Sequence, residues 1–321
     1  MNIAFSHNKH CNKLFQCFND NNSLLITLDN LSLKSLLEKA KEFEKNYEWL
    51  QATQFYQKAS NQISGSKDLH KTIELQEKQG YCYFRAALQV KQPEQNKKIM
   101  KQAIKAYSDS IEFLRKNPIQ RNQAKILHNK GWILFLRAWL ENDFQKKKEL
   151  LAEWWKLETN NFNIYDKMDN PIDTGEILND LLEMSAVDRF FFTTDNSEFK
   201  ELTMECIRIG EKAIQILSNE NNIHELARAY CWIGWYYVLA IRMEVFENKK
   251  EVFGKQSLDY SKKAVELAKK TGDAWLIGWS NNVASSIALI YEDNLNLSEE
   301  HNEVFIKQGN IAKAHVIDNP K

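Results

Sequence analysis

The segment from Leu36 to Ala59 reads LLEKAKEFEKNYEWLQATQFYQKA, and its apolar spacing decides the fold. Ala40 is followed three places later by Phe43. Beyond the polar turn at Lys45-Asn46, Ala52, Tyr56 and Ala59 follow at intervals of four and three. Residues three, four and seven apart share one face of an α-helix. The segment therefore predicts two helices whose small residues let them approach closely while the rings fill the space between.

The same arrangement recurs along the chain. Ala52 to Ala59 aligns without gaps with Ala103 to Ser110, Cys206 to Ala213 and Ser257 to Ala264, each with a small residue at both ends of eight. A preceding helix carries a small residue and then a larger one: Ala40 and Phe43, Gly80 and Tyr83, Gly131 and Leu134, Gly234 and Tyr237, Ala284 and Ile287. Glycine inside a helix costs about 1 kcal/mol relative to alanine, so Gly80, Gly131 and Gly234 in equivalent places point to close packing.

This pattern resembles the tetratricopeptide repeat family over about residues 32 to 293, with Ala40, Phe43, Ala52, Tyr56 and Ala59 at the family's spacing. The aligned segments start 51, 103 and 51 residues apart, longer than the family's repeat of about 34. The long-helix form is similar to arrays attached to prokaryotic and archaeal signalling proteins. The resemblance implies an all-α solenoid of about six antiparallel hairpins, a superhelix whose first helices line a concave surface.

The pattern places helices at 32–47, 49–63, 70–91, 94–117, 119–141, 143–158, 174–193, 197–218, 222–246, 252–270, 273–293 and 298–317. Ser64-Gly65-Ser66, Asn117-Pro118, Asn219 to Asn222 and Thr271-Gly272-Asp273 supply turn and cap residues. Residues 1–22 are expected to form a disordered arm. The asparagine-rich stretch 159–173 is expected to be a loop or hinge between two half-arrays, 23–158 and 174–321. The last repeat-like helix lacks a polar capping helix, which fits a segment of a longer protein.

Composition narrows the function classes. With 43 basic and 43 acidic residues among 321, the formal charge is zero, and no overall field favours nucleic acid or an anionic membrane. Only 10 glycines and 4 prolines argue against a turn-rich β fold. The start carries no uninterrupted apolar stretch of a secretory signal. The apolar run Ala229 to Ile241 is thirteen residues, against about 20 for a membrane span. Five scattered cysteines fit reduced thiols, so a cytoplasmic location is expected.

No phosphate loop, nucleophile elbow or two-histidine zinc helix occurs, and Arg228 stands where His224-Glu225 would need a second histidine. We therefore expect no enzyme activity, cofactor or metal. His7, His10, Cys11 and Cys17 do not match a closed zinc site. Lys146 to Lys148 with Trp154-Trp155 suits base stacking or, with Glu149, Glu153 and Glu158 nearby, a solvated amphipathic helix. Phe190 to Phe192 reads as an anchor for a partner or as core.

By the family resemblance, the concave face comprises Tyr81, Phe84, Arg85, Lys125, His128, Trp132, Phe135, Arg228, Cys231, Trp235, Asn281 and Ser285. Such aromatics and cations suit a protein or peptide partner. The family's carboxylate clamp of lysine and asparagine is not found. Trp132, Trp235 and Trp279 fit either groove or core, whereas Arg85 and Arg228 call for charged partners. The expected function is a scaffold gripping a peptide or partner helix. The alternative is a regulatory domain that senses a small ligand or peptide, and closure of the superhelix into a pocket would distinguish it.

Overall fold

Residues 31–63, 69–116, 120–168, 170–187, 195–242 and 248–313 are described by a computed structural model. Twelve α-helices occupy these residues: α1 Leu33–Lys45, α2 Trp49–Ile63, α3 Leu69–Leu88, α4 Pro93–Arg115, α5 Gln120–Leu140 and α6 Phe144–Asp166, then α7 Pro171–Val187, α8 Asn196–Leu217, α9 Ile223–Ile241, α10 Lys250–Thr271, α11 Ala274–Ile290 and α12 Leu295–Ile311. Short polar side chains start several of them. Ser32, Asp143, Asp195, Asn222, Asp273 and Asn294 accept from the otherwise unpaired amides of the first turn. Gly272, at φ 70°, ends α10 in the left-handed conformation that glycine adopts without strain.

Each helix packs on the next, giving six hairpins in an all-α solenoid, and the inner helices also meet, α7 on α9 and α9 on α11. The small residues found in the sequence make this possible. Ala52, Ala59, Ala103, Ser110, Cys206, Ala213, Ser257 and Ala264 are all 0% exposed. They lie on α2, α4, α8 and α10, the second helices of their hairpins. Among the described residues no helix is long and apolar enough to cross a membrane.

The expected loop at 159–173 is corrected. Helix α6 runs on to Asp166, and α7 begins at Pro171. Asparagine is a weak helix former, but Trp154, Trp155, Glu158, Asn161 and Tyr165 continue one buried stripe, so packing overrides propensity. The hydrophobic core also continues across this junction, from Ala103 and Tyr107 through Trp154 and Leu181 to Ile287. Both indoles of Trp154-Trp155 are buried and cannot stack on bases. The 1–22 arm with its histidines and cysteines, the turns at 64–66 and 117–118, and Phe190 to Phe192 lie outside the described residues.

Close approach at Gly131 makes a quantitative test. A Cβ there would sit 1.7 Å from Oε1 of Glu158, a side chain only 3% exposed and hemmed in by core. At Gly278, also within a helix, the nearest atom would be Gln308 Cβ at an ordinary 3.4 Å. Urea unfolding should show Gly131→Ala losing about 1–3 kcal/mol to overpacking and Gly278→Ala gaining up to about 1 kcal/mol from helix propensity. A Gly131→Ala protein as stable as wild type would contradict this packing.

Candidate functional site

The solenoid curves until its first hairpin meets its last. Tyr47, in the α1–α2 turn, donates from its hydroxyl to Asp273 Oδ1 at 3.0 Å and accepts from the Ala274 amide, at the start of α11. Its backbone lies in the left-handed region at φ 57°, uncommon for a residue with a side chain. Gln89, just past α3, donates to the carbonyls of Tyr47 and Ala312, each at 3.0 Å, joining the first turn to the end of α12. Beside them the Arg85 guanidinium lies 4.7 Å from the Trp49 ring and 4.8 Å from the Trp275 ring, and it donates to Tyr81 Oη at 2.6 Å. Trp49 comes from the start of the array and Trp275 from its end, so one buried cation bridges them.

Closure turns the concave face into a cavity of about 540 Å³. Helix α3 contributes Glu74, Glu77, Lys78, Tyr81, Phe84, Arg85 and Leu88, and α5 contributes Lys125, His128, Asn129, Trp132, Phe135 and Trp139. From the other side come Glu176, Ile177, Asp180, Glu183 and Met184 on α7, with His224, Glu225, Arg228, Cys231 and Trp232 on α9. Asp273, Trp275, Leu276 and Trp279 close the circuit. Tyr107 reaches the wall from the outer helix α4 because Gly80 leaves room: a Cβ there would meet its ring at 2.7 Å. Its ring stacks on Trp132 at 5.6 Å.

Two of the four lysine and arginine side chains in this lining, Arg228 and Lys125, are ion-paired. Arg228 contacts Glu225 at 2.8 Å, Asp180 at 2.8 Å and Glu183 at 2.9 Å, so the charged partner expected for it is supplied internally. Asn179, fully buried, steadies the cluster by donating to Glu225 Oε2 at 2.9 Å. Lys125 pairs with Glu77 at 3.0 Å. Arg85 touches rings rather than a carboxylate. Eight carboxylates face four lysine and arginine side chains and two histidines, so the lining is acidic.

This field sets the protonation states. Burial pushes the His224 imidazole down, but its contacts with Asp273 and Glu225 outweigh this and raise it to about 9. Burial likewise opposes charge on His128, and Glu158, with Asp180 and Glu77 beyond, raises it to about 9. Trp132 Nε1 donates to His128 Nε2 at 3.2 Å, which requires that nitrogen unprotonated. Asp180 Oδ2 lies 3.9 Å from the same nitrogen. Burial raises Glu225 and Asp273, but Arg228 and His224 on the one, and His224 and Arg85 on the other, bring each down to about 2. Burial, then Glu225, Asp180 and Asp173, raise Glu176 to about 7. Burial pushes the Cys231 thiol up to about 12.

Of the residues singled out from sequence, Tyr81, Phe84, Arg85, Lys125, His128, Trp132, Phe135, Arg228 and Cys231 line the cavity. Trp235 packs partly buried against the core. Asn281 bonds to His301 at 2.8 Å, and Ser285 to Ser298 at 2.9 Å, tying α11 to α12. The α7 wall was missed. Its signal was present: Asp173, Glu176, Asp180 and Glu183, three, four and three apart, share one helical face. Among the described residues no group of three or more His, Cys, Asp or Glu is arranged to hold a metal ion.

Fold and site together define a closed α-helical repeat array around an acidic, aromatic chamber. No family model matches the chain, and no curated protein matches it in sequence.

The shifted groups give a definite pH profile. The two histidines stabilise the fold while protonated; that contribution is complete below 6.5 and lost as pH rises through about 9. Glu225 and Asp273 stabilise while ionised, and that contribution is lost as pH falls from 4.5 and 3.8 respectively through about 2. Glu176 resists ionisation, so it adds a penalty between 4.5 and about 7. Melting temperature should peak at about pH 5–6 and fall toward pH 9, with His224→Gln flattening the alkaline limb. A wild-type melting temperature that is level or rising from pH 6.5 to 9 would reject these assignments.

Proposed function

We propose that this chain is a tetratricopeptide-like array closed on itself, a regulatory binding domain that senses a small molecule or short peptide without chemically altering it. The observation that carries this reading is the seam: Tyr47 on Asp273 and Ala274, with Arg85 between Trp49 and Trp275, joins the two ends of the array and partly encloses the inner face. At about 540 Å³ the chamber lies within the usual range for small-molecule sites, about 300–1,000 Å³. Aromatic walls with a few convergent charges are the usual composition of such sites. Two turns of a helix about 10 Å across occupy on the order of 800 Å³, so size favours a small ligand over the gripped partner helix. The high pKa of the cavity thiol, Cys231, supports binding over nucleophilic chemistry.

Thermal unfolding should be followed across a mixed library of amines, acids, neutral metabolites and short peptides. A true ligand at one hundred times its Kd adds about 2.7 kcal/mol, a melting shift of several degrees. Tyr47→Phe removes the hydroxyl that ties the seam without touching the chamber lining. It should weaken the same ligand by about threefold to tenfold through loosened closure, from a lost bond to a charged group of about 1 kcal/mol or more. If no compound shifts the wild-type protein, the reading returns to an open scaffold for protein partners.

A further inference from the structure

Among the described residues, the chamber lining contains a carboxylate with no ion-pair partner. Glu176, on the inner face of α7, makes no ion pair or hydrogen bond among the described residues, and its nearest charged neighbours are mainly other carboxylates. Arg228, the cation that acts on it most strongly, is already held by three carboxylates. Lys78 is exposed in the chamber but is drawn first to Glu44, and only least strongly to Glu176. A second observation is independent of charge. Tyr107 is 3% exposed and lines the chamber, yet its hydroxyl has no hydrogen-bond partner among the described residues. Asn129, 0% exposed and also in the lining, has an unpartnered Oδ1 acceptor, while its amide nitrogen serves Glu77 and Ser110.

These features ask for the same occupant. An unpaired carboxylate wants a cation, and spare oxygen acceptors want N–H donors. Ring faces attract cations through their quadrupoles, and the Tyr107–Trp132 stack supplies a flat apolar wall beside them. An anionic ligand could meet Lys78 or Arg85, which have no carboxylate partner among the described residues, but it would enter a lining with eight carboxylates, and Lys125 and Arg228 are already paired. We propose, resting on the enclosed-ligand reading above, that the ligand is a compact organic cation, a primary amine or guanidine on an apolar ring-sized body. Its charge meets Glu176, an N–H group reaches Tyr107 Oη, and its body lies along the aromatic lining.

Two matched series test this by calorimetry at pH 8, where Glu176 is ionised and the amines keep their charge, and at physiological ionic strength: tyramine, tyrosol and 4-hydroxyphenylacetate, and tryptamine, tryptophol and indole-3-acetate, with agmatine as the guanidine. Within a series the ring body is kept and the terminal group changes from ammonium to hydroxyl to carboxylate. The amine should bind about tenfold or more tighter than the alcohol, and the acid weakest of all. Glu176→Gln, at an unpaired position that opens to the chamber and is ringed by protein, should keep its circular dichroism, lose about tenfold for the amine and leave the alcohol unchanged. An amine preference that survives Glu176→Gln reflects the general acidic field and overturns the assignment to Glu176. Alcohols or acids binding as tightly as amines overturn the cation inference and leave the enclosed-ligand reading standing. The cation inference also falls, with the enclosed-ligand reading intact, if neither series nor agmatine binds while another member of the mixed library does. Failure of every compound, library included, removes both.

Discussion

Arg85 lies between two tryptophans that are 226 positions apart in sequence, Trp49 and Trp275, and the shape of the inner face depends on that bridge. A desolvated guanidinium over an indole is worth up to about 2 kcal/mol for each ring. The Tyr47 hydroxyl on the Asp273 carboxylate adds a charge-assisted bond at the same seam. These contacts fasten the first hairpin to the last where the curvature of the array brings them together. With them, the inward side chains of α3, α5, α7, α9 and α11 face one shared volume. The seam is narrow, resting on a few side chains and on Gln89 between two carbonyls. The chamber's closure therefore depends on far fewer contacts than the hairpins do.

The charges around that volume are organised unevenly. Three carboxylates on one guanidinium would be a costly arrangement to bury unless every partner were satisfied. At Arg228 the contacts, together with Asn179 on Glu225, come close to doing so. The network spans α7 and α9 and fixes their relative rotation, which in turn aims Glu176 into the chamber. Acidity left over after internal pairing is the property a ligand would meet. The histidines feel the same field: nearby carboxylates hold both protonated despite burial.

Much of the fold was legible because packing between neighbouring helices is a local matter. The small residues that open and close each eight-residue segment are at zero exposure, and Gly80 and Gly131 sit where a Cβ would strike Tyr107 and Glu158. The stretch 159–166 was misread because asparagine content was weighed above the buried stripe of Trp155, Glu158, Asn161 and Tyr165. Most of the inward face named from sequence does line the chamber. The α7 carboxylates escaped notice because charged residues at helical spacing usually mark a solvated face, and sequence alone does not distinguish outer water from a cavity.

The sequence by itself determined the helices, their order and the faces they bury, since periodicity, caps and small residues act over one or two turns. Tertiary structure alone decided that the array closes, that Arg85 meets Trp275, and that Arg228 is satisfied from within. Curvature is the sum of small rotations at each successive interface. Whether the last helix pair arrives beside the first depends on all of them together, which no local pattern encodes.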